Sequence, residues 1–205
     1  MGFYQAKVFP KLLDLTMGLK AIDEVRNNLL ETITGHVLEI GFGTGRNLPF
    51  YPPTITSLTA VDSNPGVYPM ARQRIRRVQF PVDVRQVDCS ALPVSTARFD
   101  CVVSTFTLCS VDDIGSTLQE VNRVLKPDGR LFIAEHGLSP EPVVAKWQHR
   151  ATPIQKVLGA GCHLNRDMET LIKANGFRFA QLERFYLEKA PKIAGYIYAG
   201  IAVKA

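Results

Sequence analysis

The chain has 205 residues, 46% hydrophobic and 21% charged, with a formal net charge of +5. That length suits one globular domain with room for a small cap, and the composition excludes a disordered chain. No run of about 18 residues is free of charge, so no transmembrane helix is expected. Met1 to Lys20 lack a basic start, apolar run and small-residue cleavage site, so no secretory leader is expected and the cytoplasm is the default location.

Leu12, Leu15, Leu19, Ile22, Val25, Leu29 and Leu30 recur at three- and four-residue steps. The spacing predicts one amphipathic helix over Lys11 to Leu30, forming a cap over residues 1–34. Such a helix covers a core, lids a site, or rests peripherally on a membrane. Lys11, Asp14, Lys20, Asp23, Glu24 and Arg26 fall mostly off its apolar face. The main domain is expected over residues 35–205.

His36 to Ile40 is a short apolar strand ended by Gly41-Phe-Gly-Thr-Gly45, a turn that should open a helix near Asn47. Leu58 to Val61 is a second strand, closed by Asp62. Pro65 to Arg77 reads as helix with Pro69 near its start, and Val82 to Val87 and Phe99 to Phe106 as the third and fourth strands. Ile114 to Leu125 reads as a helix stopped by Lys126-Pro-Asp-Gly129, and Arg130 to Ala134 as the fifth strand. Helices follow over Val143 to Leu158, despite Pro153, and over Asn165 to Asn175, with Asn165 as N-cap and Gly176 past the end. Phe179 to Leu187 and Tyr196 to Lys204 are the last strands. Strands alternating with helices give an α/β fold, a mostly parallel sheet wrapped on both faces. The link Glu188 to Gly195 is too short for a crossover helix, so the last two strands should pair antiparallel.

The informative segment is Glu39-Ile-Gly-Phe-Gly-Thr-Gly45, a strand feeding a glycine turn where open α/β sheets bind nucleotides. The Gly-x-Gly-x-Gly spacing alone is weak. Glu39 before the first glycine, Asp62 after the second strand and Asp88 after the third strengthen it, because a strand-end carboxylate can accept ribose hydroxyls or meet an adenine amino group. Each acid alone reads equally as a loop or cap residue.

With Ala60-Val-Asp62, Asp88-Cys-Ser-Ala-Leu-Pro93, Phe99-Asp-Cys-Val-Val103 and Arg123-Val-Leu-Lys-Pro-Asp-Gly-Arg130, the chain resembles the class I S-adenosylmethionine-dependent methyltransferases. The resemblance implies a Rossmann-like seven-stranded sheet of order 3-2-1-4-5-7-6 with an antiparallel last strand. It implies S-adenosylmethionine as cofactor and S-adenosylhomocysteine as product. By position, Gly41, Gly43 and Gly45 would border the methionine part and ribose, and Glu39 would orient the loop. Asp62, with Ser63 beside it, would bind the ribose, Asp88 and Cys89 the adenine, and Thr105 and Phe106 would face the methionine end. A narrower likeness, through Thr107-Leu-Cys-Ser-Val111, Ala134-Glu-His136 and Gly161-Cys-His-Leu-Asn-Arg166, is to the methyltransferase-like 7 group of membrane-attached thiol S-methyltransferases. Leu48-Pro-Phe-Tyr-Pro52 also resembles bacterial phosphatidylethanolamine N-methyltransferases.

Methyl transfer from a sulfonium is an in-line displacement in which positioning does most of the work. A thiol acceptor must first lose its proton, and a histidine suits that task. His136, ending the fifth strand, is the first candidate and His163 the second; each reads alternatively as a structural histidine. Cys89, Cys101, Cys109 and Cys162 show no CxxC spacing, so they read as reduced thiols with no metal site expected. Arg72, Arg74, Arg76 and Arg77 form a basic cluster, either a solvated face or a contact for anionic lipid. No basic patch is interleaved with aromatics, so a small-molecule acceptor, not nucleic acid, is the expected partner.

Overall fold

A computed structural model describes residues 8–205, so the first seven residues of the expected cap lie outside the described part. Seven strands form one sheet: β1 Gly35–Ile40, β2 Ile55–Val61, β3 Val82–Arg85, β4 Phe99–Thr105, β5 Leu125–His136, β6 Phe177–Tyr186 and β7 Tyr196–Lys204. Their order is β3-β2-β1-β4-β5-β7-β6. β1 to β5 run parallel, and β7 is antiparallel to both neighbours, as the order and the short last link imply. That link holds only the single turn α7, Lys192–Gly195.

The central strands are apolar on both faces because helices cover both. On one face Leu38, Ile40, Val102, Leu131 and Ile133 pack with residues of α4 (Ile114–Val124) and α6 (Met168–Ala174). Their strand neighbours Val37, Val103, Phe132 and Ala134 turn to the other face, against α2 (Lys20–Leu30) and α3 (Tyr68–Ile75). Alternate residues thus feed two cores through one sheet.

The expected N-terminal helix is two helices, α1 (Phe9–Thr16) and α2. Gly18 breaks it: a β-carbon there would fall 2.6 Å from the Arg46 guanidinium, and Leu19 is extended (φ −70°, ψ 139°). Only Ile22, Leu29 and Leu30 of the predicted apolar face are buried in α2, while Leu12, Leu15 and Leu19 face solvent. Arg26, expected on the polar side, is buried.

Smaller departures have local causes. A 3₁₀ turn, Leu48–Phe50, replaces the helix expected near Asn47, since Pro49 and the following Pro52 and Pro53 oppose a longer one. Pro69 lies in the first turn of α3, where its missing N–H is harmless. α4 ends at Val124, but Lys126 to Gly129 belong to a longer β5: β4 partners pass from Leu125 to Arg130 across a register shift, leaving those residues as an excursion of the strand. α5 spans Pro142–Leu158 and keeps Pro153 inside. α6 is capped by Asp167, which accepts from Thr170 N, not by Asn165; Asn165 instead bonds Thr152 and His149 on α5. Among the described residues no helix is long and apolar enough to cross a membrane.

Candidate active site

The carboxyl ends of β1, β2, β4 and β5 converge, and the site is built on them. After β1 the chain turns through Gly41, Gly43 and Gly45, all at positive φ (69°, 54° and 76°). L side chains rarely adopt that conformation, so the glycines let the loop double back over the strand end.

Glu39, the last but one residue of β1, lies buried beneath this loop. Its Oε2 accepts from Tyr51 Oη at 2.7 Å and its Oε1 from Asn47 Nδ2 at 3.0 Å. Burial pushes its carboxyl up to about 8, although the Tyr51 and Asn47 bonds oppose the shift. Asn47 also donates to Thr105 Oγ1 at 3.0 Å and accepts from Arg26 Nε at 3.0 Å. One amide therefore ties β1, the end of β4 and α2 together. Sequence reading missed Asn47 and Arg26; no periodicity links them.

Asp62 ends β2. Its Oδ2 accepts from Gly43 N and its Oδ1 from Asn64 N, both at 2.8 Å. Burial raises its pKa against those bonds. Asp62, Asn64, Phe42, Tyr68 and Gln86 line a cavity of about 320 Å³. Ser63 is exposed beside it. Asp88 and Cys89 are not among the cavity's lining residues. β3 stops at Arg85, and Asp88 is exposed, bonded to Ser90 N and Oγ at 2.8 Å, while Cys89 Sγ sits 3.7 Å from Thr117 Oγ1.

The loop after β4 forms the opposite wall. Phe106 holds a left-handed conformation (φ 54°), rare for an aromatic residue. Thr107 Oγ1 reaches Gly41 O at 3.4 Å, joining this loop to the glycine loop. Buried Glu135 fixes the loop from below: Oε1 accepts from Ser104 Oγ (2.7 Å), Thr107 N (2.9 Å) and Leu108 N (3.0 Å), and Oε2 from Cys109 N (3.2 Å).

His136 stands next to Glu135, edge-on to Phe106 with ring centroids 6.2 Å apart. Its Nε2 lies 3.1 Å from Cys162 Sγ. Burial lowers its pKa, but the bond and charge of Cys162 outweigh this and raise it. His163 joins the same region through its backbone, its N donating to Cys109 O at 2.7 Å. Its ring Nδ1 is buried without a hydrogen-bond partner among the described residues, and burial with Arg166 and Lys156 lowers its pKa.

α1 reaches the glycine loop through Asp14, which the periodicity put among residues mostly off the apolar face. Its carboxylate accepts from Thr44 Oγ1 (2.6 Å), Arg46 Nε (2.9 Å) and Nη2 (2.8 Å), and Arg74 Nη1 (2.9 Å). Burial alone would raise its pKa; the bonds from Arg46, Arg74 and Thr44 prevail and hold it well below the usual carboxylate range. Arg74 is therefore a structural cation, unlike the exposed Arg72, Arg76 and Arg77.

Residues 38–133 match the family model described as a methyltransferase domain. Thiol S-methyltransferase TMT1A of Homo sapiens is 31% identical over 178 residues, covering 82% of this chain and 70% of that protein. The chain belongs to the S-adenosylmethionine-dependent methyltransferase family. Within it, thiol S-methyltransferase TMT1B of Rattus norvegicus is 38% identical over 151 residues, 72% of this chain, and the match spans 62% of that relative's length. The crystal structure of the cyclase SpnF superposes with a TM-score of 0.71 at 17% identity, covering 90% of this chain and 81% of that one. It shows the methyltransferase fold and no more, since one fold hosts several activities.

Two outcomes test this geometry. Glu39 has a folded pKa of about 8 against an ordinary value of 4.5. Between those values the folded state keeps a proton that the unfolded chain has lost, so the stability it contributes is complete below the ordinary value and lost as pH rises through the folded one. Glu39→Gln removes this titration. From about pH 5 to about pH 8 its urea midpoint should fall less steeply than the wild type's, and parallel slopes would show that Glu39 ionises normally. Asp14→Asn should weaken the hold on α1 by about 1–3 kcal/mol. Tryptic cleavage at Lys11 and Lys20 should then accelerate; an unchanged rate would mean that α2 alone holds the cap.

Proposed function

We propose that the protein transfers a methyl group from S-adenosylmethionine to a small thiol, releasing S-adenosylhomocysteine. The observation that carries this reading is the Thr107–Gly41 contact: it joins the glycine loop to a wall fixed by Glu135 and edged by His136 and two cysteines. The relatives named thiol S-methyltransferases support the choice of acceptor.

The residues present fit the cofactor. Beside the glycine loop, Phe42 and Asp62 line the cavity of about 320 Å³, and a β-carbon on Gly43 would stand at ordinary contact distance, 3.8 Å, from Leu13 Cδ2. In our assignment Gly41, Gly43 and Gly45 offer backbone to the methionine part and ribose. Asp62, whose two oxygens retain free lone pairs, accepts the ribose hydroxyls, with Ser63 at its side. Asp88 and Cys89 attend the adenine from the loop after β3. Glu39 is a positioning residue, acting through Asn47. Thr105 and Phe106 bound the methyl end. When bound, S-adenosylmethionine supplies a methyl already activated by its sulfonium. The protein's part is to align a nucleophile with it and exclude water, for which the cap over the glycine loop is suited. We assign His136 to the acceptor side. Its Nε2 is engaged with Cys162, which disfavours a free base, and His163 is assigned to holding Cys109 through its backbone.

A phospholipid amine is the second reading, favoured by one observation. α5 exposes Val143, Trp147, Ile154, Val157 and Leu158, and α1 exposes Leu12 and Leu15. Exposed apolar side chains beside a cation, as Trp147 lies under the exposed Arg150 guanidinium, are what peripheral contact with an anionic bilayer needs.

The deciding assay is transfer of labelled methyl to alkyl thiols and to phosphatidylethanolamine vesicles. Methylated thiols are expected; methylation of the lipid alone, with co-sedimentation on vesicles, would establish the second reading. Asp62→Ala should weaken cofactor binding by about 2–4 kcal/mol in calorimetry. Affinity within about twofold of wild type would remove Asp62 from the ribose site.

A further inference from the structure

We infer that Cys109, His136 and Cys162 form a binding site for a zinc-class divalent ion whose fourth position receives the acceptor thiol. The thiol clause rests on the function proposed above; the metal site stands without it.

The three residues come from separate parts of the chain: the loop after β4, the end of β5 and the turn after α5. That is why cysteine spacing could not show them. One ligand atom from each, two sulfurs and an imidazole nitrogen, all lie within 4.8 Å of one another. Cys162 Sγ is already 3.1 Å from His136 Nε2. A tetrahedral ion bound at about 2.3 Å to sulfur and about 2.0 Å to nitrogen places its ligand atoms roughly 3.5–3.8 Å apart, within reach of small side-chain rotations. Both cysteines are free and buried (1% and 5% exposed), and His136 is half-buried.

The donor set selects the ion. Two sulfurs and an imidazole, with no oxygen donor among them, suit zinc rather than magnesium or calcium. Two thiolates and a neutral imidazole cancel a divalent charge, which favours its entry into a buried pocket.

The backbone around the triad is over-determined, as metal sites need. Cys109 N is held by Glu135 and Cys109 O by His163 N. Arg166 Nη2 donates to Val111 O at 2.7 Å, closing the same loop. Gly161 packs so tightly on Ser110 that a β-carbon would lie 2.5 Å from its carbonyl oxygen, and this contact brings Cys162 beside Cys109. The methyl transfer itself needs no enzyme thiol as nucleophile, so it leaves the two cysteines without a covalent role.

Three protein ligands leave a tetrahedral ion one open position. His136 lies edge-on to Phe106, on the loop that touches Gly41, and an acceptor approaching from that side would meet the open position. Water on a zinc-class ion ionises near neutral pH, so a thiol entering that position would give its proton to the bound hydroxide, which leaves as water, and would remain on the ion as thiolate. The bound sulfur then forms a bond to the methyl carbon, the carbon–sulfonium bond breaks, and that electron pair returns to the cofactor's sulfur. The thioether formed is neutral, a poorer ligand, and leaves.

The test uses the full chain, purified under reducing conditions, loaded with zinc or cobalt and dialysed. Wild type should retain one equivalent of zinc. Its cobalt form should show thiolate-to-metal charge transfer and the visible bands of a tetrahedral ion, bands that an alkyl thiol shifts. Cys162→Ser and His136→Gln should lose the metal while keeping affinity for S-adenosylhomocysteine, which reports a folded chain. Wild type that retains no metal, a spectrum lacking thiolate charge transfer, or full metal content in Cys162→Ser would overturn the site. Metal bound without a thiol-induced shift, with thiols methylated equally by chelator-stripped protein, would overturn the thiol clause. A thiol-induced shift without any thiol methylation would keep the site and overturn the proposed function instead.

Discussion

Asn47 has one side-chain amide, and three parts of the protein depend on it. Its Nδ2 serves Glu39 at the end of β1 and Thr105 at the end of β4, and its Oδ1 receives Arg26 from the cap. The bonds to Glu39 and Arg26 are buried and that to Thr105 partly so, and a buried unmet polar group costs about 1–3 kcal/mol. The cost works against alternatives: withdrawing α2 takes the donor from Asn47 Oδ1, and shifting the glycine loop takes a donor from the Glu39 carboxyl group. A network in which every member is satisfied rigidifies the loop more than apolar packing would, because hydrogen bonds set direction as well as distance.

Glu135 plays the corresponding part on the other side of the β1–β4 seam. Its carboxylate gathers three successive amides from the loop after β4. The two buried glutamates thus convert two adjacent strand ends into fixed walls. Between them the left-handed backbone of Phe106 is tolerated because its N–H is also paired, with Ala134 O at 2.8 Å.

The sheet was readable in the sequence because strands buried on both faces leave unmistakable apolar runs, and because the short link before β7 admits only one pairing. Asp62 was readable for the same reason, as the polar stop of such a run. Asp88 followed the same rule less well: β3 ends three residues before it, so its carboxylate caps its own turn at Ser90. Periodicity also carried straight across Gly18, since a repeat of apolar positions does not register a change of axis. Asp14, Arg26, Asn47 and the Cys109–His136–Cys162 cluster lay beyond reading. Each meets partners far along the chain, and one sequence has no signal for such pairs.

The cap has an uncommon fastening. α1 buries only Pro10 and turns Leu12 and Leu15 outward, so its grip on the glycine loop comes mainly from Asp14 and two arginines. A lid seated on apolar surface gains little further strength on warming, as hydrophobic stabilisation per unit area plateaus. An ionic fastening behaves differently, because the cost of dehydrating charges falls as temperature rises. Releasing α1 also uncovers little apolar surface and so carries a small heat-capacity change. α1 should therefore respond to heat independently of the sheet beneath it, keeping its relative hold at temperatures where the core's margin is already shrinking.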